Sequence, residues 1–504
     1  MSILQEIKFV RESLPSPESN ALDGTLHFDD GPDFDINLNM GPGARFSISD
    51  ALTSLPTQPV CDMLLSKYFN SRYMVLVTCY DKASPANDST LGRPSAILLQ
   101  QTTARCLISG GYGTAKEYSI EALFLYLQSK FMNESSSTTQ LWLELGTIIR
   151  LALRMGYHRD PDGLPSISVF EGEMRRRVWL NIFQIDALVS FQMGLPSMLP
   201  AEYCDTKPPG NFHDTDLSTD MDHLSNPRSL EEATPLRYGI VKCRIMSVFK
   251  KIVRHTQPLS SPEYITTLAL DKEMKNAYEG IPDVLKRRNI SDSFIDASDI
   301  IMERCTLELL YLKGIVVLHR RYIRHEPHSL QFEPSRRFCL EAALEILARQ
   351  ADIYKATLFG GRLHEEAYMV TTLTEHDFLL AAMVVCLDLS VQMESEIPEI
   401  SNIEGIESFT GKKYHALQMS QQIWAAKRGS PSQSDIASMT LDLMIRKVTE
   451  RQASVRNSIS LGKDPWMGAG LPYIQMEGMI DGSEAIDWSL LDQLFQNQVT
   501  EAMQ

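Results

Sequence analysis

The sequence predicts an all-α protein, a large irregular helical bundle, and three observations carry that prediction. Apolar residues recur at three- and four-residue spacing through one stretch after another of the 504-residue chain. Pro258, Pro262, Pro282, Pro398 and Pro431 fall between those stretches, where a residue that cannot continue a helix belongs. Clear apolar–polar alternation, the mark of a half-buried strand, is absent, and no segment repeats at a fixed period.

In chain order, residues 15–55 are rich in Pro, Gly, Ser and Asp, which predicts disorder or loose loop, so 1–55 is expected to be a mostly disordered N-terminal segment. Order begins near Val60 with CDMLLSKYFNSRYMVL. Pro94 to Ser109 reads as a helix ended by Gly110 and Gly111, and Tyr118 to Phe131 as another. The next two helices form a hairpin, roughly Gln140 to Gly194, around which the rest of the chain is organised. Its first arm carries Leu141, Leu145, Ile148, Ile149 and Ala152 at helical spacing, with Glu144, Thr147, Arg150 and Arg154 opposite. Gly156 stops it, because glycine enters the left-handed conformation without penalty.

The second arm opens with Ser168 and Glu171 at the spacing of a capping box and ends before Gly194 and Pro196. Met174, Val178, Ile182, Ile185 and Val189 form one stripe; Trp179 and Phe183 lie off it, around Asp186. A helix apolar on more than one side is packed from more than one direction, which places this arm at the centre. Asp186 then needs a partner, since an unpaired buried charge costs several kcal/mol.

Pro200 to Thr234 reads as a polar surface connection. Helical patterns resume at Leu236–His255, Tyr264–Tyr278, Phe294–His325, Ser335–Ala356, Glu375–Met393, Tyr414–Ala426 and Ile436–Arg456, completing a helical body over 56–460. The tail, 461–504, has no Lys or Arg from Pro465 onward and contains IDWSLLDQLF. Asp487, Trp488, Leu491, Asp492, Leu494 and Phe495 have the composition of an amphipathic activation segment, in which acidic groups keep bulky apolar ones solvated until a partner groove accepts them. A terminal helix docked on the body is the other reading of the same residues, and the two are compatible.

Hydrophobic residues make up 43% and charged ones 22%, an ordinary globular composition in a chain long enough to bury a substantial core. A net charge of −16 argues against a large nucleic-acid surface. MSILQEIKFV lacks the apolar core of a secretory signal, and the longest apolar run, Phe378 to Leu387, falls far short of the roughly 20 residues that span a bilayer. No membrane role is expected. The eight cysteines are scattered without a CxxC pair, which fits a reducing intracellular compartment.

Several blocks, taken in order, carry a resemblance. They are Trp142 to Ala152 including Arg150, Gly156-Tyr157-His158-Arg159-Asp160, Phe170 to Trp179 with Glu171, Glu173, Arg175, Arg176 and Arg177, then Asp186 and Gly194-Leu195-Pro196-Ser197. The set resembles the middle regulatory region of fungal zinc binuclear-cluster transcription factors, with Tyr157 in place of a leucine and Leu180 in place of a second tryptophan. Pro209 to Leu217, Leu318 to Ile323, Ser335 to Ala343 and Phe378 to Leu389 are similar to later blocks of that family, so the resemblance covers roughly 60–460. It implies a nuclear, non-enzymatic transcription regulator with the transcriptional machinery as partner, and a homodimer or a second zinc-cluster factor as a further partner. Zinc would enter only through an N-terminal six-cysteine cluster, and no cysteine spacing here supplies one, so no cofactor is expected in this chain. DNA would be reached indirectly or through a missing module. The alternative is a co-regulatory interaction module without DNA contact.

Other chemistry is weakly represented. His158-Arg159-Asp160 looks like a kinase catalytic loop, but Pro165 stands where Asn is needed, so the triplet reads as a structural turn. Gly405 to Lys413 has the wrong spacing for a phosphate loop, and Asp214 to Ser225 lacks the Gly and Glu of a calcium loop. His319, His325 and His328 read as surface histidines among Arg320, Arg321 and Arg324. Asp29-Asp30-x-x-Asp33 matches the magnesium motif of terpene synthases, a remote all-α enzyme reading weakened by Gly31 and Pro32 inside it. Arg175, Arg176 and Arg177 point in three directions from one helix, and at least one of them is expected to neutralise Asp186 or another inner carboxylate. Trp142 and Trp179 read as core residues.

Overall fold

The computed structural model describes residues 46–70, 96–131, 138–257, 263–323, 329–364, 370, 372–394, 404–426, 441–442 and 445–446, and no strand occurs among them. The α-helices are α1 (Ile48–Ser54), α2 (Gln58–Asn70), α3 (Ala96–Gly110), α4 (Ser119–Phe131), α5 (Thr138–Arg154) and α6 (Val169–Gln192). After a long connection follow α7 (Arg237–Thr256), α8 (Tyr264–Glu279), α9 (Ser298–His319), α10 (Glu333–Thr357), α11 (Thr372–Glu394) and α12 (Glu404–Ala426). The chain is all-α, as its periodicity predicts.

Two apolar cores organise these helices. The smaller joins α3, α4, α5 and one side of α6 through residues such as Leu127, Leu145, Ile149, Trp179 and Ile182. The larger joins the end of α6 to α7 through α12, with Phe191, Phe249, Val316, Ile346 and Val384 inside it. Helix α6 serves both: Trp179, Ile182 and Val189 face the first core, while Ala187, Leu188 and Phe191 face the second. Every residue from Asp186 to Gln192 is buried. That is the packing from several directions expected of the second hairpin arm. The stripe itself is uneven, since Met174, Val178 and Ile185 are only half-buried while Ile182 and Val189 are sealed.

Both hairpin helices end as glycine dictates. Gly156 has φ +78°, Tyr157 N–H donates to Ala152 O at 3.0 Å, and Gly156 N–H donates to Leu153 O at 3.1 Å. Gly194 repeats the pattern with φ +64°, Leu195 N–H on Ser190 O and Gly194 N–H on Phe191 O. This double bond satisfies carbonyls that the helix leaves without partners. At the start of α6 only half of the capping box forms. Ser168 Oγ accepts from Glu171 N–H at 3.1 Å, and the Glu171 carboxylate turns instead to Arg175.

Several expectations need correction. Helix α1, capped reciprocally by Ser47 and Asp50, lies at the end of the segment read as mostly disordered, of which residues 1–45 lie outside the described residues. Glu144 is not on a solvated face: it is buried and forms an ion pair of 2.9 Å with the equally buried Lys130 of α4. Helix α9 begins at Ser298, leaving Phe294 and Ile295 exposed, and ends at His319 before a 3₁₀ turn over Arg320–Ile323. Helix α12 begins well before Tyr414. The 200–234 connection is anchored inward: Asn211 and Phe212 are buried, and Asn211 Nδ2 donates to Ser229 O at 2.7 Å. Of Ile436–Arg456 only 441–442 and 445–446 are described, and those are helical.

Candidate functional site

The polar signature of the hairpin sorts into three clusters along α6. At its start lies Asp160, at the N-terminal boundary of a 3₁₀ turn over Pro161–Gly163. Arg176 Nη2 donates to Asp160 Oδ1 at 2.8 Å and Arg176 Nε to Oδ2 at 3.3 Å, a two-point contact between flat groups. Lys207 N–H adds a bond to Oδ2 at 2.8 Å, and Asp162 bonds Arg176 at 2.7 Å. Burial pushes the Asp160 carboxyl up, but Arg176 and the Lys207 and Asp162 amides outweigh it and hold the group well below the usual carboxylate range. The triplet is thus a structural turn, as read: Asp160 ties α6 to the segment beyond α6, and Arg159 pairs with Asp205 at the surface at 3.0 Å. The backbone of His158 takes part too, its carbonyl accepting from Asp205 N–H at 3.0 Å.

The three arginines do point three ways. Arg175 bonds Glu171 at 2.9 Å, donates to Met155 O at the end of α5 at 3.1 Å, and lies over the Tyr157 ring at 5.0 Å. Arg176 takes Asp160. Arg177 reaches Asp214 at 2.7 Å and Glu173 at 3.7 Å. Glu173 is sealed and accepts from Gly210 N–H at 3.2 Å; burial pushes its carboxyl up against the pull of Gly210 and Arg177. A Cβ at Gly210 would stand 2.1 Å from the Phe212 ring, so the close approach that brings this amide to Glu173 requires glycine.

Asp186 is 0% exposed, and its partner is not one of those arginines. Lys250 of α7 approaches to 3.5 Å, Ser190 Oγ donates at 3.2 Å, Met198 N–H at 2.9 Å, and Ser197 Oγ also donates. The expectation that an arginine neutralises an inner carboxylate holds for Asp160 and fails for Asp186, because the arginines sit more than two turns earlier on α6. The Gly194-Leu-Pro-Ser exit now has a reason: the turn at Gly194 brings Ser197 and Met198 back onto Asp186, with Pro196 exposed at its bend. Trp179 is buried, Trp142 is half-buried and Arg150 is exposed. Asp487, Trp488, Leu491, Asp492, Leu494 and Phe495 lie outside the described residues, as do Asp29, Asp30 and Asp33.

One constellation escaped the sequence reading. His319 is fully buried, not on the surface; its Nδ1 lies 2.9 Å from Ser335 Oγ and its Nε2 3.3 Å from Asp271 Oδ1. This is the order of a nucleophile, base and orienting carboxylate. Ser335 is nevertheless 0% exposed and shares its hydroxyl with Tyr264, while Lys275 occupies the other Asp271 oxygen at 2.8 Å. The network clamps α8, α9 and α10 together, and nothing reaches its serine from solvent. His319 and Ser335 stand in blocks singled out from the sequence; Asp271 carries no signal there, since only tertiary packing brings it to the pair. His325, His328 and Arg324 lie outside the described residues.

Comparison with known proteins agrees with this arrangement. Residues 78–294, which span the hairpin and all three of its clusters, match the family model described as the fungal specific transcription factor domain. The chain is 32% identical over 380 residues to the Zn(2)-C6 fungal-type transcription factor pigI of Monascus ruber, covering 74% of this chain and 47% of that protein. It is 32% identical over 391 residues to the Zn(2)-C6 fungal-type transcription factor mpsB of Macrophomina phaseolina, covering 70% and 52%. The Equisetin cluster transcription factor eqxF of Fusarium heterosporum is 27% identical over 459 residues, covering 82% and 65%. The chain thus spans about half the length of the curated relatives pigI and mpsB. No solved structure matches.

The described cysteines do not suit the zinc cluster that such relatives are named for. A cysteine that binds zinc does so as its thiolate. Burial pushes the thiols of Cys243 to about 11 and of Cys305 and Cys386 to about 12, and the remaining described cysteines sit on separate elements. What the sequence, the helices and the comparisons share is the regulatory region: the chain belongs to the family of the fungal specific transcription factor domain, carried here by residues 78–294.

Proposed function

We propose that this chain is the regulatory body of a non-enzymatic transcription regulator that works in the nucleus on a gene cluster. The observation that carries the reading is the family match across the hairpin, joined to relatives whose names are those of cluster transcription factors, equisetin and pyrrolocin among them. The physical picture supports it. Apart from the exposed Arg150, the charged side chains of the signature are matched within the body, as a scaffold requires, and the chain carries a net charge of −16, unsuited to gripping phosphates. DNA is then contacted by a zinc-cluster module or by a partner factor, and the acidic tail around Trp488 and Phe495 recruits transcriptional machinery.

Tethering tests this. The full chain, fused to a heterologous DNA-binding domain, should change the output of a reporter several-fold, and Trp488→Ala with Phe495→Ala should remove most of that change. A nuclear fusion that leaves the reporter unchanged would refute the reading. A second reading is a co-regulator without DNA contact of its own. Chromatin immunoprecipitation separates the two: occupancy that disappears when a partner factor is deleted identifies the co-regulator.

A further inference from the structure

The 200–234 connection enters α7 through a threonine whose surroundings the hairpin does not use. The chain has five Ser-Pro or Thr-Pro pairs, beginning at Ser16, Ser84, Thr234, Ser261 and Ser430, and only Thr234 has a cation three positions on, Arg237. A hydroxyl followed by proline, with a cation at that distance, is what proline-directed protein kinases act on. The Thr234 hydroxyl caps α7: it accepts from Leu236 N–H at 3.3 Å and from Arg237 N–H at 3.2 Å, and it donates to Asn211 Oδ1. Thr234 is half-buried, and Glu231, Glu232, Ala233 and Pro235 around it are exposed. Proline also keeps the residue before it extended, the conformation in which a kinase takes its substrate.

Arg237 is the anomaly of this helix start. It is 4% exposed, in the first turn of a 20-residue helix, where the helix dipole favours anions, and that turn contains no carboxylate. Among the described residues no ion pair holds it, and its sealed Nε has no hydrogen-bond partner. It stands three residues after the cap, the position from which a helical side chain turns back toward the cap residue. A buried guanidinium without a counter-charge is costly, and an anion fixed beside it removes that cost.

We propose that Thr234 is a phosphorylation site for a proline-directed serine/threonine kinase, and that Arg237 and the start of α7 seat the phosphate. Thr234 Oγ1 attacks the terminal phosphorus of a nucleoside triphosphate. The Oγ1–P bond forms, the bond from that phosphorus to the bridging oxygen breaks, the nucleoside diphosphate leaves, and the hydroxyl proton passes to the kinase's base. The product brings close to two negative charges and three acceptor oxygens to the amides of α7 and to Arg237. A contact is lost in return. Asn211 Oδ1 no longer has a hydroxyl donor, and Asn211 is the residue whose Nδ2 holds Ser229 O and Glu232 O. Phosphorylation thus exchanges a neutral tie to the connection for a charged tie to α7. Of the two carboxylates just before the site, Glu232 is matched by Arg228 at 3.1 Å and Glu231 is exposed to solvent. The inference goes beyond the transcriptional reading, since the modification belongs to the helical body whatever its output.

Treating the native full chain with a purified cyclin-dependent kinase, magnesium and ATP, then mapping phosphate by tandem mass spectrometry, tests the site. Phosphothreonine should accumulate at position 234. Phosphorus-31 NMR of the product tests the seat: the second ionisation should fall below the value of about 6 usual for a phosphorylated side chain, and should rise by about half a unit or more in phosphorylated Arg237→Gln. Unphosphorylated Arg237→Gln should melt no lower than the parent, because it removes a charge that has no internal partner, so a lost shift is not a lost fold. Absence of phosphate at Thr234 in the native chain, or its appearance there only after unfolding in urea, would overturn the site. An ionisation that Arg237→Gln leaves unmoved, or an Arg237→Gln protein that melts below the parent, would overturn the seat.

Discussion

Replacing Asp186 by alanine isolates the interaction that seats the central helix. The carboxylate is fully sealed and receives Met198 N–H at 2.9 Å, the Ser190 and Ser197 hydroxyls, and Lys250 at 3.5 Å. Removing it leaves a backbone amide and an ammonium without their acceptor, and breaking a buried pair from one side costs about 3–5 kcal/mol. Lys250 keeps Leu199 O at 3.3 Å and the Phe183 ring at 4.5 Å, which places the expected loss near the lower end, about 3 kcal/mol. With an unfolding entropy of about 2.1 cal/mol/K per residue over a body of roughly 400 residues, that is a fall of about 4 °C in Tm. Differential scanning calorimetry measures it directly. The double variant Asp186→Ala, Lys250→Met should recover part of the loss, because the stranded ammonium is gone as well. An Asp186→Ala protein that melts with the parent would show this carboxylate unimportant and the account of the α6 exit wrong.

Asp160 gives a pH dependence with a definite sign. Its folded pKa lies below the unfolded value, so its stabilisation is complete above about pH 5 and is lost as pH falls toward the folded value. Urea midpoints should therefore drop less between about pH 5 and pH 3 in Asp160→Asn than in the parent. Lys130→Met removes the ion-pair partner of the sealed Glu144 and should cost about 3 kcal/mol, with Lys130→Met, Glu144→Leu recovering most of it, by chemical denaturation. Gly156→Ala meets no neighbour within 4 Å, so only the left-handed backbone at φ +78° opposes it, and the loss should be about 1 kcal/mol. Trp179→Ala opens a cavity in the smaller core and should cost about 3–5 kcal/mol, enough to lower soluble yield.

The helical pattern was legible wherever apolar spacing was regular, and it failed where side chains overrode spacing. Ser47 and Asp50 made a helix from a stretch whose composition spoke for loop, since a reciprocal cap acts locally while composition averages over many residues. Glu144 and His319 were assigned to solvent on residue type alone. Each is buried because a distant residue, Lys130 or Asp271, supplies its partner, and a single sequence does not display such pairings. Asp186 shows both halves of the matter. Its burial followed from the apolar residues around it, whereas the identity of its partner depended on where α7 crosses α6, which periodicity does not encode.

The polar clusters fall at the places where apolar packing alone would leave α6 free to slide. A ridge of Ile, Val and Leu side chains fits neighbouring grooves in more than one register, one turn apart, with little difference in buried area. Charge-assisted bonds do not tolerate a shift of that size. Arg176 on Asp160, Gly210 N–H on Glu173 and Met198 N–H on Asp186 hold the start, the early turns and the late turns of α6 at separate points of the surrounding chain. Because α6 also belongs to both cores, a register held at three points on one helix aligns the smaller core with the larger. On this reasoning the charged E-x-E-x-RRR pattern of α6, Glu171 to Arg177, gives the body little net stability and instead selects one arrangement among several of similar burial.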